Sequence, residues 1–352
     1  MSSITIYDIA REANVSIATV SRVISDSEKV SDKTKEKIRR LIEQYGYQPN
    51  AMAQSLNAGR TNLIGLIVAD IRNPFFARVC YACETAAKQK GFQIMLRNIF
   101  DNNSEEESLN MFAAHRVDAV IQLGGCVDSI KKATDYANLI NRLSKPFISI
   151  NNLEGADMYT IGIDDAAGTE LAFTHLLELG HTRIAFLGGM PDRRSTIEKH
   201  NKYVELLKES NIPFYPEYVQ INGYSAEEGL EGMRYFLSLE KRPTAVIAVT
   251  DEIGAGAAAA VRESGLDCPR DISIIGNDNT FLTYITTPKL TSVACDYNIL
   301  GESLITAAQN VIAKEDVERE VYLKPLLVKR NSCGPCNGIQ MKIQSMKGTS
   351  QL

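Results

Sequence analysis

The chain has 352 residues, 44% of them hydrophobic, enough for two or three cores, since single domains mostly run to ~100–200 residues. The net charge of −5 divides unevenly: residues 1–60 hold nine Lys/Arg against seven Asp/Glu, a net of +2, and the remaining 292 carry −7, so a mildly basic head precedes an acidic body. No stretch approaches the ~18 apolar residues of a membrane span, no charged and apolar leader opens the chain, and seven thinly spread Cys do not form a secreted disulfide framework; a cytoplasmic protein with reduced thiols and no membrane is expected.

In chain order, Thr5-Ile6-Tyr7-Asp8 sets an acid three residues after a hydroxyl, the capping-box spacing that satisfies free N–H groups at a helix start. Ile6, Ile9, Ala10 and Ala13 follow at helical spacing, and the small Ala10 lets a second helix approach. Asn14 tolerates the left-handed backbone of a tight corner, and Ser16 is an N-cap for a helix running to about Ile24. Val15, Val20, Val23 and Ile24 form its buried stripe. Ile17, Ala18, Ser21 and Arg22 share the other face and meet base edges in a major groove, with Arg22 the guanine reader. Ser31 caps a third helix to about Gln44, where Ile38, Leu41 and Ile42 close a three-helix core and Lys33, Lys35, Lys37, Arg39 and Arg40 face water or phosphate. Any three short amphipathic helices give this pattern, so it leaves a plain helical domain open.

The residues themselves narrow the reading. Ile4 to Ile24, ITIYDIAREANVSIATVSRVI, closely resembles the headpiece of the LacI family of bacterial repressors. The likeness continues without a gap through KVSDKTKEKIRRLIEQYGYQPNAMAQSLNAGRTNLIGLIV, including the T-V-S-R core and the Y-x-P-N entry to a hinge. It implies a helix-turn-helix headpiece over residues 1–48 that holds DNA through Thr5, Tyr7, Ser16, Ile17, Ala18, Thr19, Ser21 and Arg22. Residues 49–60 are then hinge and linker: Pro49 stops the third helix, NAMAQSL is helix-capable, and Asn57-Ala58-Gly59 reads as linker. By residues alone this is a tether. The resemblance implies that paired hinge helices enter the minor groove through Asn50, Ala53, Gln54 and Leu56, with Leu56 wedged into a base step. A segment shorter than ~12 residues is marginal as an isolated helix, so it folds only when DNA and the partner hinge cover it, and so acts as a switch.

From Leu63, apolar runs alternate with amphipathic stretches: LIGLIV, FQIML after Gly91, AVIQL at 119, FISI at 147, RIAFLG at 183, AVIAV at 245 and ISIIG at 272. Such strands, separated by helices, predict an α/β body of two parallel sheets with helices on both sides and ligands at the carboxyl ends of the strands. The resemblance runs to about Ser332 and implies the two-lobed fold shared with periplasmic sugar-binding proteins, with an effector in the cleft. The core then spans 61–332: an N-lobe of about 61–162 and 295–322, a C-lobe of about 163–294 and 323–332, and crossings near 163, 294 and 323. Residues 333–352, rich in Gly, Ser, Gln and Lys, are expected to form a disordered tail.

The effector candidates follow the strands. Of Phe75 and Phe76, one is expected in the core and the other stacked on a sugar or base. Arg193, Ser195 and Lys199 match the family's Arg, Thr/Ser and Arg positions by register, although Lys at 199 gives up the bidentate fork of Arg. Tyr224 follows VQING. Asp278 follows ISIIG and either caps a turn or accepts two vicinal hydroxyls, and Asn277 beside it replaces an aromatic common in the family. Asp251, at the end of AVIAVT, is a candidate of the same kind.

Other motifs carry less. Cys333-Gly-Pro-Cys336 has a dithiol spacing but leads into a polar tail with no helix to lower a thiol pKa, and Cys80 and Cys83 sit at helical spacing where apolar thiols pack. Gly254-Ala-Gly256 lacks the third glycine of a dinucleotide turn, and His115, His175, His181 and His200 make no metal pair or triad. No catalytic residue, cofactor or metal is expected. The combined reading is a homodimeric repressor that binds a roughly palindromic operator and changes affinity when a small metabolite, a sugar or sugar phosphate, closes the cleft. The polar residues after Ser332 offer no heptads for a tetramer. V-S-x-A-T-V-S-R-V also resembles the catabolite control proteins, which take a phosphorylated carrier protein as corepressor, and that alternative stays open. A solute-binding protein would share the body but carry an export signal and no headpiece, and a thiol redox protein would need the Cys333/Cys336 pair.

Overall fold

The computed structural model describes residues 4–24, 29–47, 60–99 and 104–336; Asn50, Ala53, Gln54 and Leu56 lie outside these residues. The chain divides into two compact units, Met1–Asn62 and Leu63–Leu352.

The first unit holds α1 (Ile6–Ala13), α2 (Ile17–Ile24) and α3 (Asp32–Tyr45). The Asp8 carboxylate accepts from Thr5 N at 3.0 Å and from Thr5 Oγ1 at 2.7 Å, which ties off the start of α1. Asn14 ends the helix at φ 55°, ψ 47°, a left-handed corner that a β-branched residue resists. Ser16 Oγ accepts from Thr19 N at 3.2 Å and opens α2. Ile9, Ala10, Ala13, Val20, Val23 and Ile38 are buried between the helices, with Val15, Ile24, Leu41 and Ile42 packed around them. Lys37 does not simply face water or phosphate. Its Nζ donates to Ala13 O at 2.8 Å and satisfies a carbonyl left open at the end of α1.

The second unit contains two six-stranded sheets, with strands numbered in chain order. One sheet combines β1 (Leu63–Val68), β2 (Gln93–Asn98), β3 (Ala119–Leu123), β4 (Phe147–Ser149), β5 (Tyr159–Ile163) and β11 (Glu320–Leu323) in the order β11-β5-β4-β3-β1-β2. Its pairs are all parallel. The other combines β6 (Ile184–Leu187), β7 (Val219–Gln220), β8 (Ala245–Ala248), β9 (Ser273–Asn277), β10 (Thr291–Ala294) and β12 (Leu326–Val328) in the order β12-β10-β9-β8-β6-β7. Here β12 departs from the parallel expectation and runs antiparallel to β10. The chain therefore passes between sheets after Ile163, after Ala294 and after Leu323.

Packing explains the layering. Ile64, Leu66 and Val68 meet Leu300 and Leu304 of the helix Tyr297–Ala313 in one core, while Ile67 meets Phe112 and Phe147 in another, so the first sheet is covered on both faces. Gly65 makes this possible on the second side, because a Cβ there would lie 2.4 Å from the Phe112 ring. The second lobe closes over Phe186, Tyr203, Met233, Phe236 and Ile253. Residues 333–336 depart from the expected disordered tail. Cys333 Sγ donates to Ile274 O at 3.3 Å, Gly334 N to Ser273 Oγ at 3.1 Å and Cys336 N to Leu179 O at 2.9 Å, so 333–336 strap onto the second lobe. The buried ring of His181 joins the strap, with Nε2 3.0 Å from Gly334 O.

Candidate ligand cleft and DNA-reading face

A cavity of about 800 Å³ lies between the two lobes. Its wall is made by the segments that follow β1, β3, β4 and β5 of one sheet and β6, β8, β9 and β10 of the other. These are the carboxyl ends of the strands, where side chains leave the sheet and backbone groups are open to a ligand.

Phe75, Phe76, Arg193, Ser195, Lys199, Tyr224 and Asp278 all line this cavity. Both phenylalanines are half-buried, packed against the first-lobe core and also on the wall, so neither is core alone. Their rings meet edge to face at 5.2 Å, and Phe75 meets Tyr297 at 5.8 Å, which fixes an apolar platform. Lys199 Nζ donates to Asp165 Oδ1 at 2.6 Å. Burial alone would depress this ammonium, but the Asp165 charge and hydrogen bond outweigh it and hold the pKa above its ordinary value. The Tyr224 hydroxyl pairs with Thr196 Oγ1 at 2.8 Å, and burial raises its pKa.

Asp278 takes the left-handed region at φ 99° and accepts from Asn277 Nδ2 at 2.7 Å. Burial, and then the charge of Asp251, push its carboxyl well above the ordinary carboxylate range, which favours a protonated form that can donate as well as accept. Asp251 itself stands apart from the expected set. It is 1% exposed, is not on the cavity wall, and is held by Ser292 Oγ at 2.6 Å and Thr280 N at 2.5 Å. A strand-end acid that faces inward satisfies its own lobe rather than a ligand.

Sequence reasoning named Arg193 and Ser195 but passed over their partners across the cleft, Gly125 and Asp128. Arg193 Nη1 donates to Gly125 O at 2.8 Å across the cleft, so the arginine expected on the ligand is occupied by the protein. Asp128 accepts from Ser195 N and from Ser195 Oγ, each at 3.0 Å. Ser129 Oγ donates to Asp192 Oδ2 at 3.3 Å and Ile130 N to Asp192 O at 3.0 Å, extending the contact into a short antiparallel bridge. Asp128 sits five residues beyond Leu123, the end of β3, so the strand-end rule applied to AVIQL would have pointed to it. A second crossing lies near the Ala294 passage, where Arg78 Nη1 donates to Asn279 O at 3.2 Å and Tyr297 hydroxyl donates to Asp278 O.

On the headpiece, Tyr7 is 63% and Ile17 40% exposed, Thr5, Ser16, Ala18 and Arg22 are exposed, and Thr19 and Ser21 are half-buried. Ile17, Ala18, Ser21 and Arg22 leave the face of α2 opposite Val20 and Val23, as an element that enters a groove requires. Among the described residues no group of His, Cys, Asp and Glu could hold a metal ion, and no helix is long and apolar enough to cross a membrane. Burial pushes the Cys333 thiol up to about 11, the reverse of dithiol activation. Cys80 and Cys83 are buried inside the helix Pro74–Gln89.

A small headpiece with an exposed reading helix, followed by a two-lobed body with a cleft at its strand ends, defines a DNA-binding regulator that senses a small molecule. The comparisons agree. Residues 5–50 match the profile of bacterial regulatory proteins of the lacI family, and residues 173–333 that of the periplasmic binding protein-like domain. The HTH-type transcriptional regulator DegA of Bacillus subtilis is 33% identical over 95% of this chain and 99% of its own length. Catabolite control protein A of Priestia megaterium is 31% identical over 92% of this chain and 97% of its own. Among solved structures, the lac repressor dimer bound to operator and the anti-inducer ONPF superposes with a TM-score of 0.86 at 26% identity, covering 95% of this chain and 100% of that one. The complex of the transcriptional regulator CelR with cellobiose gives 0.71 at 26% identity, covering 94% of this chain and 99% of that one. The chain belongs to the lacI family of bacterial regulatory proteins: it binds DNA, regulates transcription and responds to a small-molecule effector.

Proposed function

We propose that the protein is a homodimeric repressor, resident in the cytoplasm with its DNA, whose affinity for a roughly palindromic operator is set by a carbohydrate in the interlobe cleft. The observation that carries this reading is the composition of the cavity wall: the Phe75/Phe76 platform stands with Asp278, Ser195 and Tyr224 around about 800 Å³, combining a stacking surface with hydroxyl-binding groups. On the DNA side, Thr5, Tyr7, Ser16, Ile17, Ala18, Thr19, Ser21 and Arg22 are the proposed contacts, with Arg22 reading guanine. Asn50, Ala53, Gln54 and Leu56 are proposed to enter the minor groove and to melt or order with the ligand state. No observation on this chain favours the phosphorylated-carrier alternative over a small ligand.

The test is a thermal-shift screen of neutral saccharides, sugar phosphates and nucleobases on the full chain, with operator titrations for every hit. A saccharide that raises the unfolding midpoint and alters operator affinity is expected. A panel without hits, or a hit whose binding is unaltered by Lys199→Ala and by Asp278→Ala, contradicts the cleft reading.

A further inference from the structure

We propose that Arg194 is a ligand-recognition residue of the cleft, and that the effector is a carbohydrate bearing one oxyanion group, a carboxylate or a phosphate, seated on this guanidinium. The ligand class rests on the cleft reading above; the role of Arg194 rests on its own surroundings.

Among the described residues the cavity wall carries four cationic side chains, Arg72, Arg193, Arg194 and Lys199. Three already have acceptors from the protein: Arg72 holds Asp70 at 2.7 Å, Lys199 holds Asp165 at 2.6 Å, and Arg193 Nη1 donates to Gly125 O at 2.8 Å. Arg194 is different. Its Nε is shut off from water with no hydrogen-bond partner, and among the described residues its guanidinium enters no ion pair. Buried donors nearly always find an acceptor, so an orphan on a cavity wall points to an acceptor that arrives from outside. The side chain cannot escape the cost by losing its proton, because a guanidinium pKa lies above ~12.

Glu198, one helical turn on, does not fill the gap. Burial, and then the Asp165 charge, push its carboxyl up toward the neutral form, and Arg194 only moderates that shift. The amide and hydroxyl of Ser195, next in the chain, already go to Asp128, so the open position belongs to the Arg194 side chain and not to the helix start. An Nε–H and the Nη–H beside it lie in one plane and point the same way, a fork that matches two oxygens of a carboxylate or phosphate. Such a group brings the compensating charge as well as the acceptors, which a hydroxyl does not. Elsewhere the wall is acidic. Its described Asp/Glu side chains outnumber Arg/Lys by eight to four, so a second oxyanion would meet repulsion. The rest of the ligand is left to present hydroxyl groups to Asp278 and Tyr224 and an apolar face to Phe75 and Phe76.

The experiment uses the full chain as wild type and as Arg194→Met, which keeps an unbranched stem and removes the donors, with Arg194→Lys, which loses the fork, should the methionine form not fold. Without ligand, the unfolding midpoint of the variant is expected to be no lower than that of the wild type, since an unmatched buried donor is gone. A lower midpoint makes Arg194 a structural residue and overturns the proposal. Thermal-shift titrations at constant ionic strength then compare each neutral hexose and pentose of a panel with its uronate and its phosphate ester, beside inorganic phosphate. One acid-bearing saccharide is expected to bind the wild type at least about tenfold tighter than its neutral parent, and the variant to lose that preference while keeping the parent's affinity. Whether the uronate or the ester shows the preference decides between carboxylate and phosphate. A response to neutral members alone, or a preference that survives in the variant, removes the oxyanion role of Arg194 and keeps the cleft. An equal response to inorganic phosphate removes the carbohydrate and keeps Arg194. No response to any member removes the cleft reading and the ligand class with it.

Discussion

Asp251 and Asp278 both follow strands of the second sheet, and their surroundings part them. Asp251 turns inward onto Ser292 and Thr280, while Asp278 leaves the strand with a positive φ and lies on the cavity wall. The strand-end rule names both and cannot tell which way each side chain turns, because that depends on partners brought from distant segments. The upward shift of the Asp278 pKa has a measurable consequence. Its pKa is raised from 3.8 to about 8, so over that interval the folded chain keeps a proton that the unfolded chain has released, and stability falls as pH rises through it. Thermal midpoints taken from about pH 5 to about 8 should therefore decline, and Asp278→Asn should flatten part of the decline. An unaltered slope in the variant contradicts the assignment. Arg22 was legible because a helical period alone puts it opposite Val20 and Val23. Arg22→Ala is expected to weaken specific operator binding by about 1–3 kcal/mol with little effect on nonspecific DNA, and equal losses on both would remove its role as a base reader.

The long buried strands and the three headpiece helices were readable from period and caps, since LIGLIV and AVIQL are apolar on both faces and the Thr5/Asp8 and Ser16 caps lie within the sequence that uses them. The strands β5, β10, β11 and β12 were not. β5 (YTIGI) and β10 (TSVA) are interrupted by Thr, Gly or Ser, β12 has three residues, and β11 alternates exposed and half-buried residues at a sheet edge, so no long apolar run marks them. Only the family likeness put crossings near 163, 294 and 323. The capping serine makes a direct test: Ser16→Ala should cost the headpiece about 1 kcal/mol, read by denaturant unfolding of that transition. A second test lies where the helices Ala226–Ser238 and Asp251–Glu263 cross through Gly229 and Gly256. A Cβ at Gly256 would stand 1.9 Å from Ala226 O, which belongs to backbone that cannot move alone. Gly256→Ala is expected to cost about 1–3 kcal/mol through forced separation of the pair, and a variant as stable as the wild type would contradict this packing.

In the body as a whole, the interlobe contacts were the least legible part. Arg193 was marked by register, but its acceptor, Gly125 O, and the Asp128–Ser195 pair join segments about 70 residues apart in sequence that only the folded lobes bring together. These contacts matter because a ligand that enters the cleft changes the free energy of one lobe against the other, and any such change is available to a second site. Coupling of this kind is reciprocal. If the cleft governs operator affinity, the operator must govern the cleft by the same factor. The measurement is the affinity of the full chain for the saccharide identified by screening, made with and without a saturating operator duplex. A change of about 5–150-fold, equal to the change in operator affinity produced by the saccharide, is predicted. Identical saccharide affinities in the two states would show that the cleft and the headpiece do not communicate.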